Sequence, residues 1–142
     1  MVNNLVDNIF YNHLLLIPAI AFLVTVLIKG ISVKMKTWKI DLGKAFGSGW
    51  MPSVHSSVIV SLTTAMALKH GIASDYFALA MAVTVIIIYD AINVRYEAWL
   101  HASAINEHLW EKRFKESLWH LPSEAFAWSM VGIFIAVVLS YI

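Results

Sequence analysis

Four stretches of the chain are apolar over lengths that suit a bilayer, and polar residues gather between them at three places. A membrane-spanning helix needs about 20 mainly apolar residues. The first run extends from about Leu14 to Ile28, the second from Pro52 to Leu68, the third from about Tyr76 to Ile92, and the fourth from Pro122 to Tyr141. The second is the least apolar, with Ser56, Ser57, Ser61, Thr63 and Thr64. Small and hydroxylated residues suit a helix packed among other helices rather than against lipid. From Tyr96 to Leu121 the chain is charged, with Leu100, Ala104, Ile105 and Leu109 at helical spacing. That pattern predicts an amphipathic helix on the membrane surface between spans three and four. The expected fold is therefore all-α, a polytopic membrane helix bundle of about four spans forming a single membrane domain over residues 1–142. The first run has Asp7 and no Lys or Arg ahead of it. A signal peptide would carry a cation there, so the run is expected to be a retained span.

Composition strengthens this picture. Hydrophobic residues make up 60% of the chain and charged ones 13%, against roughly 45–50% and about 25% in soluble domains. There is no cysteine, which excludes disulfides and thiolate metal sites. The net charge is +1 with no basic tail, so no nucleic-acid partner is expected. The cations are unevenly placed. Lys29, Lys34, Lys36, Lys39 and Lys44 follow the first run, and Arg95, Lys112, Arg113 and Lys115 follow the third, whereas only Lys69 follows the second. Cations favour the cytoplasmic side. Both long connections are expected there, in a cell inner membrane, although a basic active site would also collect cations.

The three polar clusters are Gly47 to Ser56, Tyr89 to Arg95, and His120 to Glu124. With alternating spans, all three fall at one membrane face. The first is a glycine-rich loop with Pro52 near a helix start, where proline costs no hydrogen bond. Unpartnered N–H groups and the helix dipole make such a start an anion site. Ser53 could add a hydroxyl and His55 lies one turn in; a capped helix with an interior histidine is the plainer reading. In the third cluster Pro122 again marks a helix start, with His120 ahead of it and Glu124 in the first turn. Glu124 could reach back as in a capping box and hold one ring N–H of His120, fixing the other nitrogen as nucleophile or base; alternatively it only complements the dipole. Asp90 closes the apolar run from Val83 to Tyr89. An ionisable group at such a depth is costly unless partnered and marks function by default; the alternative is a structural pair with an Arg or Lys.

Together the clusters resemble the divergent branch of the type 2 phosphatidic acid phosphatase family, related to acid phosphatases and vanadium-dependent haloperoxidases. The resemblance runs from Lys29 onward, through Gly49 to Ser56, Tyr89-Asp90-Ala91, Asn93-Val94-Arg95-Tyr96, Ile105-Asn106 and Lys115 to Glu124. It implies His120 as nucleophile, oriented by Glu124 in place of the superfamily's usual Asp, and His55 as general acid, with Asp90 completing the catalytic set. Arg95, Ser53, Gly49, Lys36 and Lys29 would bind phosphate. No metal and no cofactor are expected. The implied reaction is hydrolysis of a lipid phosphate monoester through a phosphohistidine, with membrane lipids as surroundings and the homo-oligomeric state open. Val54 and Tyr96 depart from the pattern, and Arg113 lies one position too far from His120 for the superfamily's arginine. A catalytically silent protein that binds lipid phosphates or scaffolds partners, and a small transporter relaying protons, are the alternatives.

Trp50, Trp99, Trp119 and Trp128 stand where the branch pattern has glycine. Two readings fit. UGA codons that the source reads as glycine have been translated as tryptophan, or the lineage uses tryptophan as an interfacial anchor. UGG codons at all four positions would end the first reading.

Overall fold

The computed structural model describes residues 13–38, 52–109, 113–116 and 119–141. The fold is an all-α membrane helix bundle. Its helices are α1 (His13–Thr37), α2 (Val54–His70), α3 (Asp75–Tyr89), a π segment (Asp90–Val94), α4 (Arg95–Leu109) and α5 (Pro122–Ser140).

The helix ends follow local chemistry. Ser53 caps α2, its Oγ accepting from the Ser56 N–H at 3.5 Å. Gly71 ends that helix at φ 83°, a left-handed conformation that glycine adopts without strain, and its N–H donates to the Ala67 carbonyl. Ser74 caps α3 through the Phe77 N–H at 3.2 Å, and Asp75 complements its dipole. The short turn at 71–74 makes α2 and α3 an antiparallel pair. Proline at the start of α5 and Glu124 in its first turn open the last helix.

Three helices, Leu14–Met35, Asp75–Leu109 and Pro122–Ser140, are long and apolar enough to cross a membrane. The second run forms a helix of only 17 residues. It is the central one, packed against α1, α3 and α5. Hydroxyls and small residues make those contacts. Thr25 on α1 donates to Ser57 on α2 at 3.0 Å, and Thr63 on α2 shares a 2.6 Å hydrogen bond with Thr84 on α3. Gly132 on α5 lies against the Ser57 carbonyl, with the Ser61 nitrogen 3.1 Å from where a Cβ would stand. Any larger residue there would push α5 off α2. Such close approach is how helices associate where apolar burial gives no advantage over lipid. Outward faces carry large apolar side chains such as Leu79, Ile86, Phe126 and Phe134, each about two-thirds exposed, as suits contact with lipid.

Two boundaries differ from the sequence expectation. The first helix continues nine residues past Ile28 to Thr37, so Lys29, Lys34 and Lys36 are helical rather than in a loop. It ends when Trp38 turns to φ 56° and donates its N–H to the Lys34 carbonyl at 2.8 Å. The third span does not stop at Ile92 either. Helix runs on through the π segment to Leu109, 35 residues in all, or about 52 Å at 1.5 Å per residue. That exceeds the roughly 30 Å hydrocarbon core. The expected amphipathic segment is thus the continuation of α3. The described helix reaches Leu109, and Asn106 binds the chain at Phe114 and Glu116, as described below.

Candidate functional site

The polar side chains meet at the end of the bundle formed by the C-terminal part of α1, the starts of α2 and α5, and the π segment. His120 precedes α5 and is almost fully buried, 3% exposed. Its N–H donates to the Ala91 carbonyl of the π segment at 3.3 Å. Its Nδ1 lies 3.4 Å from Glu124 Oε2, and the same Glu124 oxygen accepts from the Leu121 N–H at 3.1 Å. One carboxylate therefore holds both the helix start and the imidazole. With Nδ1 facing Glu124, Nε2 is the nitrogen left for chemistry.

The π turn explains Asp90 and Arg95. Residues five apart in an α-helix point about 140° apart. Here the Arg95 N–H bonds back five residues to the Asp90 carbonyl, and the widened turn brings both side chains onto one face. Arg95 Nε donates to Asp90 Oδ2 at 2.8 Å. Asp90 is thus partnered within its own segment and orients the guanidinium.

His55, in the first turn of α2, lies within electrostatic reach of Arg95, His120, Asp90 and Lys29. His120 is within reach of Glu124, Lys29 and Arg95. Lys29 is 2% exposed on α1. The arrangement gathers two histidines, two carboxylates and two cations. Burial pushes the His120 imidazole below its ordinary value, Glu124 draws it back up, and Lys29 and Arg95 press it down. The net downward shift favours the neutral ring, with Nδ1 held by Glu124.

Ser53 is fully buried, and its hydroxyl is engaged by the Ser56 N–H and the Ser56 hydroxyl; it shapes the loop into α2. Gly49 lies outside the described residues, as does the Lys36 side chain. Among the described residues, no three His, Asp or Glu side chains group as a metal site requires. A cavity of about 410 Å³ lies at the opposite end of the bundle, lined by Leu14, Ile17, Ala65, Leu68 and Tyr141 with Lys69. It holds none of the site residues, so here volume is a poorer guide to chemistry than the meeting of titratable groups.

Sequence reasoning missed the segment that leads into His120. Asn106 on α4 is 5% exposed. Its amide oxygen accepts from the Phe114 N–H, and its amide nitrogen donates to the Phe114 carbonyl and to Glu116 Oε1, all at 2.8 Å. Tyr96, Trp99 and Trp119 stack with centroids 5.0–5.8 Å apart, tying the same segment to α4 again. The signal was the Ile105-Asn106 match, which carried no role. Of the other tryptophans at glycine positions, Trp50 lies outside the described residues. Trp128 leaves Nε1 buried without a hydrogen-bond partner, at a cost of about 1–3 kcal/mol that glycine would not carry.

The sequence pattern of the Divergent PAP2 family matches residues 10–135. The chain is 33% identical over 123 residues to the "Uncharacterized membrane protein YuiD" of Bacillus subtilis, covering 72% of this chain and 78% of that one. No solved structure matches the chain.

Proposed function

We propose that this chain, which belongs to the Divergent PAP2 family, is an integral-membrane phosphatase that hydrolyses a lipid phosphate monoester through a phosphohistidine at His120. The observation that carries this reading is the buried His120, with Nδ1 held by Glu124 and His55 and Arg95 within electrostatic range. In the proposed reaction, His120 Nε2 attacks phosphorus and the bond to the lipid oxygen breaks. His55 donates a proton to that oxygen as the alcohol leaves. Water then attacks the phosphohistidine, His55 takes its proton, and phosphate departs. Arg95, held by Asp90, and Lys29 stabilise the charge that develops on the phosphoryl oxygens. A site between helix ends, beside apolar lipid-facing surfaces, suits an amphiphilic substrate. Release of phosphate from phosphatidate or a polyprenyl phosphate by the purified full chain is the direct test; no release from any phosphorylated lipid would overturn the reading. A silent lipid-phosphate binder would retain phosphate affinity in that assay without turnover.

We also propose that the site faces the cytoplasm from the inner membrane. The support is the nine Lys and Arg residues that follow the first and third runs, against one after the second. Reporter fusions at Lys39 and Lys112 should both read as cytoplasmic, and an external signal from both would refute the orientation.

The pH profile follows from His120. Its free ring nitrogen is nucleophilic only when neutral, and burial lowers its pKa. Activity should therefore hold to below the ordinary histidine value of about 6.5 and fall as pH drops through the lowered one. Glu124 raises that pKa, so Glu124→Gln should move the acid limb of kcat/KM to lower pH while reducing kcat. A limb that stays in place, or moves up, would show that Glu124 does not act on the nucleophile.

A further inference from the structure

We propose that Asn106 is a positioning residue for the nucleophile: it fixes the register along α4 of the segment that leads into His120, and so sets where the imidazole meets the substrate phosphate. The inference rests on the phosphatase reading above and deepens it with a residue that lies outside the three polar clusters.

His120 stands outside any helix. The described residues between Arg113 and Leu121 are not helical, so their backbone groups need partners elsewhere in the fold. Three contacts tie them to the long helix, and they run backwards along it. Asn106 meets Phe114 and Glu116. Tyr96 and Trp99 meet Trp119. Ala91 accepts from the His120 N–H. The chain thus returns along α4 toward the π turn. Asn106 and Ala91 are 15 residues apart, or about 22 Å along a helix. Phe114 and His120 are six residues apart, and six residues reach at most about 20–22 Å. Little slack is left between the two anchors, so a shift at one is felt at the other.

The Asn106 tie is the firm one. The His120 N–H bond is 3.3 Å long, at the weak end for N–H···O geometry. The Trp119 ring lies 5.0 and 5.8 Å from its partners, centroid to centroid, and such contacts tolerate sliding. Asn106 is 5% exposed and makes three bonds of 2.8 Å. Its amide oxygen accepts from the Phe114 N–H. Its amide nitrogen donates to the Phe114 carbonyl and to Glu116 Oε1, so both of its hydrogens are used. An aspartate could not donate, and an alkyl group would leave both backbone groups of Phe114 without this partner. Glu124 has a different task. It orients the ring through Nδ1, whereas Asn106 sets the place from which the ring is presented.

The test uses the full chain in detergent, with phosphatidate and nitrophenyl phosphate as substrates and titration calorimetry with inorganic phosphate. A misplacement of about 1 Å can cost a reacting group about 10²-fold. Asn106→Ala should therefore lower kcat/KM about 10²-fold, and by the same factor on both substrates, because attack at phosphorus is common to them. Phosphate affinity should stay native, since Arg95 is held separately by Asp90 on the π turn. A change that merely loosened the bundle would lower affinity and turnover together. Asn106→Asp keeps an acceptor for the Phe114 N–H, loses both donors and faces Glu116; it should fall as far as alanine. Adding Glu116→Gln supplies a donor to the carboxylate at 106 and should recover part of the rate.

Native kcat/KM in Asn106→Ala, phosphate affinity that falls in step with turnover, or a double variant no faster than Asn106→Asp would overturn the inference and leave the phosphatase reading standing. A native chain with no turnover of any phosphorylated lipid would overturn that reading and the inference with it.

Discussion

His120→Ala is expected to abolish turnover of a lipid phosphate. The imidazole it removes is the only group in the cluster that combines a free ring nitrogen, burial and a carboxylate on its other nitrogen. Without it the covalent path is gone, and water must attack the substrate directly. Nothing in the remaining set replaces the nucleophile, because Glu124 is tied to the Leu121 N–H and Asp90 to Arg95. Phosphate binding should survive, since the cations are untouched, and loss of a positively polarised neighbour is a small change beside theirs. Phosphate release measured against the native protein checks the first point and calorimetry the second. Retained turnover in His120→Ala would mean that another group, or metal-bound water, performs the attack.

His55→Ala is expected to slow turnover by about 10²–10⁴-fold, the usual contribution of a positioned proton donor. Unlike His120, this side chain is exposed, on the first turn of α2 where a substrate oxygen can approach it. Its loss leaves attack at phosphorus possible but makes the lipid alkoxide a poor leaving group. The defect should therefore shrink with an aryl phosphate, whose leaving group needs no proton. Comparing phosphatidate with nitrophenyl phosphate across native and variant chains reads this directly. An equal loss on both substrates would contradict proton donation by His55 to the leaving group.

How far the sequence reached depended on the distance over which each feature is encoded. The apolar runs are local, and the bundle followed from them. The hydroxyls of the second run correctly marked an interior helix, yet their partners did not follow from it. Which residue meets Ser57 or Thr63 depends on how α1 and α3 pack, and Thr25 and Thr84 carry no signal of their own. The third run failed at its end for a physical reason. Asp90, Asn93 and Arg95 read as the polar limit of a span, whereas the π turn folds Asp90 and Arg95 onto each other and lets helix continue. Lys29 misled in the same way. A cation normally closes a span, but here helix continues to Thr37 around a buried lysine.

The site showed the same division. His120, Pro122 and Glu124 are neighbours in sequence, so their capping geometry could be reasoned from spacing. His55 and Asp90 came from elsewhere in the chain, and the alternation of spans and the family resemblance suggested that they share an end. Asn106 was invisible in its effect, because its partners lie eight and ten residues on across a segment with no periodicity. The tryptophans fall between these cases. Trp99 and Trp119 find aromatic partners, whereas Trp128 buries an unpaired N–H.

The most direct measurement of the central claim is to trap the intermediate. The native chain would be mixed with phosphatidate labelled in its phosphate, quenched in alkali within the first turnovers, and digested for mass spectrometry. A phosphoryl group on His120, stable in alkali, lost in acid and absent from His120→Ala, is the predicted result. Phosphate released with no labelled protein at any time point, or label that persists in His120→Ala, would contradict it.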